Sequence, residues 1–117
     1  MKTLISTLLL FGFLKSENSP YVVVLGIAQD GGLPHAGCVQ KCCKKSWSTG
    51  ENKKEVSSIG IIDPKTGQSW LIDATPDFAS QLNILENVHN TKLSGIFLTH
   101  AHIGHYIGLL QLGREVM

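Results

Sequence analysis

Three of the five histidines fall in one short run, Thr99-His100-Ala101-His102-Ile103-Gly104-His105. In extended backbone residues i and i+2 point to the same side, so His100 and His102 can present two imidazoles to one ion, while His105 enters from the turn that follows. Neutral imidazole is a good ligand for zinc or iron, and a catalytic zinc site keeps three protein ligands plus an open position. Hydrogen-bonded histidines at a strand end are the plainer alternative, but three so close together after an apolar strand favour a metal.

A second group of soft ligands lies earlier. His35, Cys38, Cys42 and Cys43 place four zinc-binding side chains in nine residues, and Cys3His is a known structural combination that could order the loop around it. Two other readings stay open: a disulfide from Cys38 to Cys42 or Cys43 with one thiol left over, or three unpaired thiols. Lys41, Lys44, Lys45, Lys53 and Lys54 crowd the same stretch. They read as a solvated surface rather than a nucleic-acid site, because Trp47 alone gives no stacking platform.

The chain that must position these groups has 117 residues, 43% of them hydrophobic and 16% charged, with a net charge of +1. This excludes a disordered, strongly solvated chain and supplies no global field for nucleic acid or an acidic membrane. Met1-Lys2 and the apolar run Leu4 to Leu14 have the build of a signal peptide ending near residue 20, too short for a membrane span, so the protein is expected to be exported. A retained N-terminal helix is the alternative, and the cleavage point is open.

Tyr21 to Ile27 is a continuous apolar run that reads as a strand buried on both faces. Residues 29–55 read as a long loop holding all the cysteines. Ser57 to Asp63 and Ser69 to Asp73 flank Pro64-Lys65-Thr66-Gly67 and form a hairpin. Thr75 can cap a helix with Pro76 at its first position, and Phe78, Leu82, Leu85 and Val88 recur on one face. Ser94 to Thr99 is the next buried strand. A second helix is expected from His105, with Gly108 allowing close packing.

Leu71-Ile72-Asp73, the helix after it, and the run from Ile96 through His105 together resemble the metallo-β-lactamase superfamily, whose signature is T-H-x-H-x-D-H. Val24 to Gly32, the cysteine loop and Gly108 resemble more narrowly the branch that contains pyrroloquinoline quinone biosynthesis protein B. The resemblance implies an α/β fold, the N-terminal half of a four-layer αββα sandwich, with residues 21–117 forming a partial domain. It places His100 and His102 in a first metal site and His105 in a second. Asp73 would support the metal loop through hydrogen bonds, although as a residue it reads equally as a turn former ahead of the helix. Asp30 likewise reads as a turn former or as a residue facing the site.

The pattern departs at Gly104, where the superfamily carries an aspartate ligand, so one ion, or a weak second one, is expected. The superfamily takes its remaining ligands from segments far beyond this motif, whereas Met117 lies a dozen residues past His105. The chain is therefore expected to be an inactive portion of a larger protein, with strand edges and an apolar face exposed. In full-length form the resemblance implies a metal-dependent hydrolase of a small-molecule substrate. The metal would be zinc, with iron or manganese as alternatives, and it would lower the pKa of a bound water toward ~7. The rival reading is a non-hydrolytic protein of pyrroloquinoline quinone-type cofactor biosynthesis that binds a small acidic intermediate.

Overall fold

The computed structural model describes residues 18–114. The leader expected over residues 1–20 lies outside them except for its last three positions. Four strands, β1 (Tyr21–Gly26), β2 (Ser58–Asp63), β3 (Gln68–Ile72) and β4 (Lys92–Phe97), form one sheet in chain order. The first three are antiparallel neighbours and β4 runs parallel to β3.

The β2–β3 hairpin forms as the turn residues require. Asp63 accepts the Lys65 N–H (2.9 Å) and the Thr66 hydroxyl (3.0 Å), and Gly67 closes the turn at φ 66°. The parallel return to β4 needs a crossover, supplied by helix α2 (Phe78–Asn83), which widens into a π-turn over Ile84–Val88. The sequence places Thr75 as the cap of this helix with Pro76 at its first position, but the cap position is Asp77; Thr75 instead holds the turn ahead of it, its hydroxyl accepting the Asp77 N–H at 3.1 Å.

Alternation along the strands divides the sheet into two faces. Leu25, Ile62 and Leu71 point toward α2 and close the core with Ala74, Phe78 and Leu85. Gln81 ties this layer to the chain beside it, since its buried amide donates to the Val56 carbonyl (2.8 Å) and accepts the Thr75 hydroxyl (2.8 Å). The opposite face is open. Val22 and Val24 are 61% and 65% exposed, so β1 is not buried on both sides as its sequence suggests; its apolar residues serve two faces, of which α2 covers one. Phe97 of β4 is exposed on the same account.

Three further expectations change. Val88 leaves the buried stripe because the π-turn, with the His89 N–H bonded to the Ile84 carbonyl, adds a residue to that turn and rotates the stripe away. Residues 29–55 are not a structureless loop: helix α1 (Lys41–Thr49) forms there, buries Cys43 and Ser46, and ends on Gly50 in a left-handed conformation. The segment expected to be helical from His105 forms a 3-10 turn over Ile107–Leu112, preceded by another over Ile103–His105, rather than a regular helix. Gly108 nevertheless packs closely, as its sequence position suggests: its N–H donates to the Ala74 carbonyl (2.9 Å), and a Cβ there would lie 2.6 Å from the Phe78 Cβ. No helix among the described residues is long and apolar enough to cross a membrane.

Candidate metal centre

The histidine run leaves the end of β4 beside the end of β3, where the chain turns at Asp73. That residue adopts a left-handed conformation (φ 68°), which aspartate tolerates better than most residues, and its carboxylate is buried. The Thr99 N–H donates to its Oδ1 (2.8 Å), while the Thr99 hydroxyl and His105 Nδ1 both reach Oδ2 (2.8 Å each). Burial by itself would raise the Asp73 pKa, but the hydrogen bonds from the Thr99 backbone, the His105 ring and the Thr99 side chain outweigh it and hold the carboxyl below its ordinary value.

An ionised carboxylate only accepts, and this fixes two imidazoles. His105 Nδ1 bonds to Asp73, which leaves Nε2 as the ring atom facing the site and, in the neutral ring, the one with the lone pair. The Thr99 hydroxyl spends its hydrogen on Asp73 and can only accept from His100 Nδ1 (2.9 Å), so His100 also turns a lone pair outward at Nε2. That atom faces Nδ1 of His102 at 3.0 Å. The three rings cluster, with centroids 4.5 Å apart for His100 and His102 and 4.2 Å for His100 and His105.

The structure thus brings together His100, His102, His105 and Asp73. It adds Asp30, which sequence reasoning left undecided: its Oδ1 lies 3.0 Å from His105 Nε2. The Asp30-Gly31-Gly32 cluster announces a turn, and only the fold shows that this turn brings a carboxylate to the histidines. His89 lies elsewhere, its Nδ1 3.0 Å from the Tyr21 hydroxyl.

In the cysteine segment Cys38 and Cys43 form a disulfide and Cys42 is free and exposed. The three sulfurs lie within 4.8 Å of one another. His35 is not in that group; its Nδ1 sits 3.1 Å from the Ala36 carbonyl, so the four-ligand set read from the sequence is not assembled here. The lysines around it are exposed, and Lys45 pairs with Glu51.

Residues 53–116, more than half of the chain, match the family model of the metallo-beta-lactamase superfamily. The chain belongs to that superfamily. Among curated members it is similar to the coenzyme PQQ synthesis protein B of Methylorubrum populi, 28% identical over 99 residues that cover 79% of this chain and 33% of the relative. The Klebsiella pneumoniae protein of the same name is 32% identical over 101 residues, covering 79% and 32%. The chain therefore spans about a third of the length of the curated relatives it matches.

Solved structures agree with this superfamily fold. Zn(2+)-bound PqqB from Methylobacterium extorquens superposes with a TM-score of 0.67 at 28% identity, over 80% of this chain and 36% of that one. A diphosphatase of the PhnP family gives 0.63 at 27% identity, over 85% and 38%. The four-stranded sheet with its crossover helix is thus a partial metallo-β-lactamase fold, and the strand-end histidines belong to a superfamily with at least one zinc-bound relative.

Proposed function

We propose that the full-length protein is a metal-dependent hydrolase of a small-molecule substrate, with His100 and His102 holding a first ion and His105 a second. One observation carries this reading: the buried Asp73 carboxylate, acting directly and through Thr99, turns the Nε2 lone pairs of His105 and His100 outward. That is how imidazole ligands are oriented for metal, and the facing nitrogens of His100 and His102 fit the nitrogen donors zinc prefers. Zinc bound there would act as a Lewis acid and bring the pKa of a water toward ~7. Asp73 keeps the ligand rings in place and in the correct tautomer. The remaining ligands would come from parts of the protein beyond this third, and the chain alone would be inactive. The zinc-bound relative favours zinc over iron or manganese, and the diphosphatase neighbour supports hydrolysis.

A second reading has its own support, because the curated relatives cited above are named for coenzyme PQQ synthesis. On that reading the site binds a small acidic intermediate without hydrolysing it. The full-length protein, assayed with phosphodiester and ester probes before and after chelation, distinguishes the two. Turnover lost on chelation and restored by zinc supports hydrolysis, whereas a zinc-loaded protein without turnover supports the second.

We also propose export on the strength of the N-terminal sequence. The Cys38–Cys43 disulfide supports it, since such bonds persist in oxidising compartments. A structural zinc on the cysteines is the competing use of the same sulfurs. Thiol counting on unreduced protein should find Cys42 alone reactive; three thiols with bound zinc would favour the metal.

A further inference from the structure

Gly104 interrupts the histidine run with a residue that offers no ligand, yet the space beside it is filled. A Cβ built on Gly104 would lie 2.5 Å from Cγ, 2.8 Å from Oδ1 and 2.9 Å from Cβ of Asp30. The carboxylate from the turn after β1 therefore occupies the volume that a side chain at 104 would claim. It enters a cleft of about 460 Å³ lined by Ala28, Gln29, Asp30, Ser57 and His105. Nothing in the turn itself requires this position, because the turn closes through its backbone, with the Gly32 N–H bonded to the Gln29 carbonyl at 2.9 Å.

The contact with His105 shows what the carboxylate is suited to do. His105 Nδ1 is committed to Asp73, so Nε2 is the ring atom left to face Asp30 Oδ1, 3.0 Å away. A ring nitrogen and a carboxylate oxygen this close are a pair of ligand atoms that one divalent cation can join, displacing any proton held between them. Ligand bonds of ~2.0 to 2.2 Å in a tetrahedral arrangement hold nitrogen and oxygen donors ~3.4 Å apart, so a small rotation of the half-exposed Asp30 suffices to share an ion with His105. The two acidic groups on His105 divide the work. Asp73 is buried behind the ring and orients it, whereas Asp30, with its side chain 44% exposed, stands on the open side where an ion can enter.

We propose that Asp30 is a direct metal ligand, joining His105 Nε2 on a divalent cation of the zinc type, and that Gly104 is glycine because the Asp30 carboxylate occupies the space next to it. This rests on the metal-site reading above and names the carboxylate that the histidine run lacks. It replaces the expectation that Gly104 leaves the second position poor in ligands.

The test is zinc titration of the full-length protein under chelator competition, with cobalt substitution to read coordination from absorption spectra. Asp30→Asn keeps the shape and removes the charge, and should weaken the His105-dependent ion at least about tenfold while leaving the ion that depends on His100 and His102 in place. Gly104→Ala leaves Asp30 intact but drives a methyl into it, and should weaken the same ion. Moving the carboxylate, with Asp30→Gly and Gly104→Asp combined, should recover most of the lost affinity. Binding by Asp30→Asn and Gly104→Ala equal to wild type would overturn the assignment of Asp30 while leaving the histidine site standing. Failure of the wild-type protein to take up zinc at all would overturn both.

Discussion

At Asp73 a single carboxylate holds a left-handed turn, the start of the histidine run and two imidazole tautomers together, so its charge matters to stability as well as to the metal. Its folded pKa is depressed. The unfolded state therefore binds more protons in the window below the ordinary carboxylate pKa of ~4, and the stability this group contributes is present above ~4 and lost as pH falls through the folded value. Acid unfolding of the full-length protein should show this loss, and Asp73→Asn should be less stable at neutral pH yet flatter across the same acidic window. Identical pH slopes for the two proteins would show that Asp73 does not carry the effect. Asp73→Ala should cost more, about 3 kcal/mol in urea unfolding, because it also places an alanine at positive φ and leaves the Thr99 donors without their acceptor. Asp73 was legible as a residue at the end of an apolar strand. Its hydrogen bonds to the histidine run were implied by the family resemblance and not by the local sequence, because the partners lie 26 and 32 residues away and are set by parallel pairing of β4 with β3.

Among the elements, the β2–β3 hairpin and the turn into α2 could be read directly, since Asp63, Gly67 and Thr75 act on their own neighbours, although the helix starts two residues later than Pro76. The π-turn could not. Ile84 to Val88 has no residue that demands it, and the turn forms where Leu85 packs into the core and the Thr91 hydroxyl donates to the Leu85 carbonyl at 2.7 Å. Helix α1 was obscured because its sequence is polar and its burial is confined to Cys43 and Ser46. The element that matters most to the site is α2, and Gln81 is its anchor. Replacing it by leucine keeps the volume but strands the Val56 carbonyl and leaves the hydrogen of the buried Thr75 hydroxyl without its acceptor. Gln81→Leu should therefore lower stability by about 2 to 6 kcal/mol, at ~1 to 3 kcal/mol for each of the two bonding groups that loses its partner. A loss below about 0.5 kcal/mol, the usual range of a surface substitution, would mean the helix is held by its apolar contacts alone.

Across the whole molecule, α2 covers one face of the sheet and leaves Val22, Val24, Ile59 and Phe97 on the other. An apolar face of this kind is covered by association when nothing else covers it. Residues 21–117 expressed alone should associate or aggregate, and light scattering should show no monodisperse monomer; a cooperatively unfolding monomer would contradict this. The α/β class and the site's place at the strand ends were visible in the sequence, because apolar runs and histidine spacing are local signals. The resemblance to half a sandwich implies the uncovered face, whereas the approach of Asp30 to His105 stays open in the sequence, because it depends on what the finished fold brings together. The central claim is that the strand-end histidines hold metal, and elemental analysis of the purified full-length protein against its His100→Ala/His102→Ala variant tests it most directly. The account predicts that the variant, folded and chromatographically like the wild type, loses the ion held by those two histidines, with any cysteine-bound zinc counted separately after thiol modification. Equal metal content in the two proteins would contradict it.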